Sequence, residues 1–376
     1  MALCLTLVAT GSARTEPDPS LDLSLKASLA SFYDTNIHRS YRIPKTEDAD
    51  IRTRPVEEDV AMRILVHAKA RGRIGDRTRV SAKYDFGAKA FARFHDEDVL
   101  LNQLQADLVH SLTGGLSLRA DGLYKDKGQR GGADPETLPA GQDGQRDYRR
   151  GRAGLGLRWD LGSVVLGGRG GFRALENKPG YLHDYSFKAG HGQAGLDVPF
   201  PGQHRVGLRY EYGEIFFEGR AFKLVEEEQP KRLELPYARR DRLHRIALQY
   251  RWFGVVLVGL DYLFEVDDSN TFGESYTRHR GSFMLSAKLP GEVLLNLKGN
   301  LQYRNLTDGF SVERLLPIAE EDENQNSVLA KVGREITPWL AAEVEVKYFW
   351  NEFVGSGNAP RFERAAVAMV LAGRWE

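Results

Sequence analysis

The sequence predicts an all-β chain, a closed antiparallel transmembrane β-barrel of about 16 strands, with about 14–18 as the range. Three observations carry this expectation. Stretches of roughly ten to sixteen residues alternate between apolar and polar side chains. The connections between them switch regularly from very short to very long. After the first dozen residues there is no run of about eighteen apolar residues, the length a spanning helix needs.

The stretch from Val293 to Tyr303 shows the unit. Val293, Leu295, Leu297, Gly299, Leu301 and Tyr303 share one face, while Asn296, Lys298, Asn300 and Gln302 share the other, with Leu294 the one apolar intruder. Strands of soluble sandwiches average about five or six residues. Many segments here run about twice that, the length a tilted strand needs to cross a bilayer.

Along the chain, the first segment falls near 20–34 and ends at Asp34-Thr35-Asn36, ahead of a polar connection over 35–58. Segments 59–73 and 77–94 flank the tight turn Ile74-Gly75-Asp76, and the short stretch His95 to Asp98 leads on. Segments 99–110 and 114–126 meet at Leu112-Thr113-Gly114, before a long connection over 127–145. The next pair, 146–160 and 163–175, turns at Leu161-Gly162, and 176–184 follows. Pro199-Phe200-Pro201-Gly202 joins 185–198 to 204–218, and a charged connection spans 219–240. Phe253-Gly254 joins 241–253 to 254–267, and 268–277 connects onward. Pro290-Gly291 joins 278–289 to 291–305, with 306–325 beyond it. The last hairpin, 326–336 and 338–351, turns at Thr337-Pro338; after 352–360 the final segment is 361–375. Gly and Pro supply the backbone angles that the tight turns need. Nothing in a soluble sandwich forces short and long connections to alternate, whereas bacterial barrels have short periplasmic turns and long extracellular loops.

Residues 1–13 read as a secretory signal, a short apolar core followed by small residues suited to cleavage after Ala13. The positive n-region is missing, so either the true start lies upstream or this one is trimmed. The single expected domain is 14–376. Cys4, the only cysteine, would leave with the signal. Net charge is zero and mean hydropathy is −0.43, values a barrel tolerates by turning polar side chains into a wet lumen.

On the apolar phase, Tyr124, Phe172, Tyr212, Phe264, Tyr303, Tyr348 and Trp350 sit toward one end, and Trp159, Tyr250, Trp252 and Trp375 toward the other. Two interfacial girdles are expected. Short words then add a likeness: Tyr33-Asp34-Thr35-Asn36, Tyr84-Asp85-Phe86-Gly87-Ala88-Lys89, and Asp268-Ser269-Asn270 with Gly273, Ser275-Tyr276, Arg278 and His279. In these the chain resembles Gram-negative outer-membrane β-barrels of porin-like type, and the last group resembles barrel domains of export and surface-assembly proteins. The resemblance implies residence in the outer membrane and carries no catalytic motif.

If the apolar phase faces lipid, the opposite phase lines the pore, and it is basic. The expected lining is Arg63, Lys69, Arg79, Lys83, Arg150, Arg152, Arg158, Arg169, Arg173, Arg205, Arg209, Arg251 and Lys298. Asp85, Asp107, Asp121, Glu211, Asp261, Glu265, Glu292, Glu343 and Glu345 interleave with these, and Glu226-Glu227-Glu228 and Glu320-Glu321-Asp322-Glu323 place compensating acid in connections. Arg and Lys in a pore attract anions; the same side chains can equally brace the wall through acids.

The leading expectation is therefore a channel for small hydrophilic solutes, anions included, with outer-membrane lipid as its surroundings. The alternative is the barrel of an export apparatus, for instance for a polysaccharide, working with a periplasmic partner. An enzyme is not expected. Ser275 and His279 lie four apart, but Glu274 points to the opposite face and no oxyanion donor is evident. His67, His110, His191 and His244 lack metal-ligand spacing, so no metal or cofactor is expected. Basic residues spread over nearly all strands argue against nucleic-acid binding. Oligomeric state is left open.

Overall fold

The computed structural model describes residues 21–36, 56–129, 147–178, 185–225, 231–307, 326–352 and 361–375. The expected signal segment and both acidic runs lie outside these residues, as does most of 127–145. The first half of the barrel is β1 (Leu21–Asp34), β2 (Asp59–Ile74), β3 (Thr78–Phe91), β4 (Val99–Ser111), β5 (Leu116–Gln129), β6 (Tyr148–Asp160), β7 (Val165–Asn177) and β8 (Phe187–Phe200). The second half is β9 (His204–Val225), β10 (Lys231–Phe253), β11 (Val256–Ser269), β12 (Tyr276–Leu289), β13 (Val293–Leu306), β14 (Asn326–Thr337), β15 (Leu340–Glu352) and β16 (Arg361–Trp375).

Every strand pairs antiparallel with its sequence neighbours, and β16 returns to β1 to close the barrel. Closure leaves no edge within the wall, as the bilayer requires, because an unpaired peptide group in hydrocarbon costs several kcal/mol. The pairing is staggered. The register row that starts at Trp375 passes through Leu25, Ala68, Tyr84, Leu104, Tyr124, Gly151, Ala174, Lys188 and Phe216 to Arg240. It climbs from the short-turn end to the long-connection end, which is strand tilt seen in the register.

The seam between β1 and β16 is pinned at the long-connection end. Arg364 forks onto Asp34, its Nε 3.0 Å from Oδ1 and its Nη2 2.7 Å from Oδ2, and both side chains are buried. Asn36 Nδ2 donates to the Glu363 carbonyl and the Ala365 N–H donates to Thr35 Oγ1. The Asn36 N–H also donates to Asp34 Oδ1, closing the expected Asx turn. In the second such word it is Ser269 that acts, its Oγ accepting from the Thr271 N–H.

One connection differs from its expectation. Much of 219–240 is strand: β9 and β10 run on as a two-stranded ribbon past the register of their neighbours, with bulges around Ala238. The β11–β12 connection braces this ribbon, with the Phe272 N–H donating to the Phe222 carbonyl and the Asn270 N–H to that of Arg240. An isolated two-stranded hairpin is marginal in water; the brace supplies a third set of partners.

Side chains pack against one another on the lumenal side. Ala30, Phe32, Ala61, Phe91, Ala368 and Val370 form one cluster on the inward phase of β1, β2, β3 and β16, with Phe94 against it. On β7, Gly171 lets neighbouring strands approach. A Cβ there would stand 2.6 Å from the Ala153 carbonyl oxygen and 2.9 Å from the His191 ring. Gly171→Ala is expected to destabilise by about 1–3 kcal/mol. Gly190→Ala, which meets nothing within 4 Å, is expected to be near neutral. Urea titration of the refolded barrel in detergent compares the two.

Candidate functional site

Lumenal side chains are fixed by strand phase. On β2 the outward phase carries exposed Val60, Met62 and Ile64, so Arg63, His67 and Lys69 face inward; the same alternation runs round the wall. All thirteen cations expected to line the pore fall on the inward phase. They divide into neutralised and unneutralised groups.

The neutralised group lies mainly toward the long-connection end. Glu265 of β11, fully buried, accepts from Arg245 Nε, from Arg278 Nη2 at 2.7 Å and from the Tyr276 hydroxyl at 2.7 Å. Arg245 also reaches Glu211 at 3.3 Å. Nearby, Arg239 pairs with Asp241 at 2.6 Å and Glu274 at 3.0 Å while lying over the Phe217 ring. Across the lumen, Asp34 holds Arg364 and stands 3.7 Å from Lys89. Arg63 stands 3.7 Å from Glu345, and Arg251 pairs with Asp261 at 2.8 Å. Charged groups that are buried and paired brace a wall, because separating them leaves a charge without compensation.

Arg169 shows how the sheet makes room for such a brace. Its guanidinium crosses β6 to reach Asp121 on β5 at 2.5 Å. It passes over Gly154, where a Cβ would stand 2.8 Å from its Nε. A larger residue there would block the reach.

The unneutralised group occupies the wall from β2 to β9. Among the described residues, Lys69, Arg79, Lys83, Arg150, Arg158, Arg205 and Arg209 pair with no carboxylate. Arg152 lies 3.9 Å from Asp121, which Arg169 holds more closely. Arg173 lies over the Phe187 ring. Lys298 stands apart, with Met284 and Leu329 as its register neighbours. Lys26, Lys125, Arg239, Arg278 and Arg364 also belong to the inward phase and are absent from the lining expected from sequence. Phase alone would have found Lys125, one residue beyond outward Tyr124; Arg239 lay inside a presumed loop.

Ser275 and His279 take separate partners. Ser275 Oγ accepts from the Ser269 N–H at 3.1 Å, and His279 Nδ1 meets the Tyr262 hydroxyl at 2.7 Å on the outward phase. Three of the four wall histidines are satisfied likewise, His67 by Asp85, His110 by Thr78 and His244 by Tyr210, whereas the buried Nδ1 of His191 has no hydrogen-bond partner among the described residues.

The outer surface decides the environment. Large apolar side chains stand exposed on nearly every strand, among them Leu29, Ile64, Leu104, Leu155, Leu208, Leu248, Leu301, Val346 and Leu371. Tyr124, Phe172, Tyr303 and Tyr348 stand exposed toward the long-connection rim, with Trp159 and Trp375 at the short-turn rim. A closed wall that is apolar outside, polar inside and ringed by aromatics fits a bilayer and no aqueous compartment. The chain is a bacterial outer-membrane β-barrel.

No family model matches the chain, and no curated protein matches it. Among solved structures it is similar to a bacterial polysaccharide outer membrane secretin, at 8% identity over 93% of this chain and 98% of that one, with a TM-score of 0.41. It is similar to OmpT, an outer membrane protein of Vibrio cholerae, at 10% identity over 96% and 100%, TM-score 0.43. A deletion mutant of the TodX monoaromatic hydrocarbon channel matches at 9% over 94% and 90%, TM-score 0.43.

Proposed function

We propose that this barrel is a channel through which small hydrophilic solutes, anions preferred, cross the outer membrane passively. The observation that supports the reading is the stretch of wall from β2 to β9, where Lys69, Arg79, Lys83, Arg150, Arg158, Arg205 and Arg209 pair with no carboxylate among the described residues. A neutralised cation braces; an unneutralised one projects its field into the lumen and raises the local concentration of anions. About sixteen strands enclose a bore wide enough for water.

Single-channel recording in a planar bilayer under a salt gradient tests this. Steady openings with a reversal potential on the anion side are expected. Steady openings without preference would reduce the arginines to wall bracing. A correctly folded but silent barrel would sink the passive channel. It would move the reading to an export conduit opened by a periplasmic partner, whose signature is loss of a surface polymer on gene deletion with solute uptake unchanged.

A further inference from the structure

Three carboxylates follow one another on the inner wall where β10 and β11 approach the long-connection rim, and one of them is left without a donor. Glu265 takes Arg245, Arg278 and the Tyr276 hydroxyl, and Asp241 takes Arg239 and the Ser269 hydroxyl at 2.5 Å. Asp267 stands between them. It is 6% exposed, its Oδ1 is buried without a hydrogen-bond partner, and among the described residues no cation pairs with it. Its strand neighbours explain why. Leu243 of β10 lies directly opposite on one side and Tyr276 of β12 on the other, and the Tyr276 hydroxyl is given to Glu265.

Both signs of charge surround Asp267, but the bases are engaged elsewhere. Asp241 and Arg239 face it from β10, Glu265 from its own strand and Arg304 from β13. Arg239 is held by Asp241 and, at 3.0 Å, by Glu274, and Arg304 lies over the Tyr276 ring. Arg278 of β12 and Arg245 of β10, which also meets Glu211 of β9, are turned to Glu265. At this height the outward phase carries exposed Arg242 opposite Asp268, past the row of Tyr212 and His244, so the wall here stands clear of the hydrocarbon. Burial first, and the Asp241 carboxylate second, push the Asp267 carboxyl up to about 8. With its Oδ1 shut off from solvent, the ligand that oxygen can take is a proton.

We propose that Asp267 is the proton-binding group of a pH-operated clamp at the outer rim of the barrel. Neutral, it lets the β11–β12 connection grip the base of the β9–β10 ribbon; ionised, it loosens that grip. The grip itself is made by its neighbours. Arg239, at the base of the ribbon, holds Glu274 of the connection. Ser269 Oγ donates to Asp241 and accepts from the Thr271 N–H at 3.1 Å, and the Asn270 and Phe272 N–H groups donate to the Arg240 and Phe222 carbonyls. An ionised Asp267 sets a third anion beside Asp241 and Glu265 and competes with Glu274 for Arg239. Closed, the carboxyl keeps a proton that the opened form, with an ordinary carboxyl of about 4, has given up to solvent. Closing is therefore favoured by acid and loses ground as pH rises to about 8, beyond which both forms are ionised. None of this rests on the channel reading.

The test is hydrogen exchange at the Asn270 and Phe272 amides of the refolded barrel in detergent, corrected for intrinsic base catalysis. In the wild-type chain, protection at both amides is expected to fall about a hundredfold from about pH 6 to about pH 8, about tenfold per unit, and to level off above. Asp267→Asn, neutral throughout, is expected to keep the acid-side protection at every pH and to raise the urea midpoint at about pH 8. Asp268→Asn, one residue away on the outward phase, is expected to keep the wild-type fall. Infrared difference spectra supply a reading that needs no variant: a carboxylic-acid carbonyl band in the wild-type barrel at about pH 6, lost by about pH 10. Protection that does not change with pH, an equal fall in Asp267→Asn, a fall abolished by Asp268→Asn, a lower midpoint for Asp267→Asn, or absence of the carboxylic-acid band overturns the inference.

Discussion

Glu265→Ala is expected to cost the barrel about 3–5 kcal/mol of unfolding free energy, the range for breaking a buried ion pair by removing one partner. Glu265 lies between Arg245 on β10 and Arg278 on β12 in one register row and also accepts from the Tyr276 hydroxyl. Without its carboxylate, two guanidiniums are left to share the space with no acid between them, and Arg245 keeps only its 3.3 Å contact with Glu211. Glu265→Gln, which retains an acceptor for Tyr276 but no charge, should fall between the two. Tryptophan fluorescence during urea unfolding measures the series. A loss below about 1 kcal/mol, the scale of an exposed pair, would show that lumenal water replaces the carboxylate without penalty.

Leu248→Arg carries the second large effect. Leu248 lies on the outward phase of β10, 49% exposed, between Leu208 and Tyr262. An arginine on the lipid face near the bilayer midplane costs about 2–4 kcal/mol. Moving the substitution by one residue reverses its direction: Gln249 faces the lumen beside Gly207 and Asp261, so Gln249→Arg should be tolerated. Unfolding both variants in lipid vesicles checks the assignment of the two faces. Equal losses would mean that the apolar face does not meet lipid.

Both results depend on strand phase, and phase was legible in the sequence because the bilayer imposes one rule on every residue that touches it. The alternation from Val293 to Tyr303 became β13 with its faces as read. The tight turns at Gly75, Gly162 and Pro290-Gly291 were found because short connections leave little choice of residue. The ribbon built from the ends of β9 and β10 was missed for the complementary reason. Beyond the lipid no rule enforces alternation, and the Arg, Glu and Pro of 219–240 read as a loop. The lumenal ion pairs fall between these cases. Arg245 and Glu265 are twenty residues apart in sequence, yet the Phe253-Gly254 turn sets Arg251 opposite Gly259, and counting back six residues on each strand brings the two together. Pairs within one tight hairpin could therefore have been derived. Arg169 with Asp121 could not, since its reach across β6 depends on a glycine on a third strand.

The seam has a consequence for assembly. Fifteen of the sixteen pairings join strands that are neighbours in sequence, so each can form as its hairpin emerges, at small entropic cost. Joining β1 to β16 is the one strand pairing between distant parts of the chain. Until it forms, the protein is a curved sheet with two open edges, the state most prone to pairing with another copy. Arg364 and Asp34, with Asn36 and Thr35 beside them, lie across that last gap. They act as a latch that fastens when the cylinder shuts, and weakening it should prolong the vulnerable open sheet more than it alters the finished barrel.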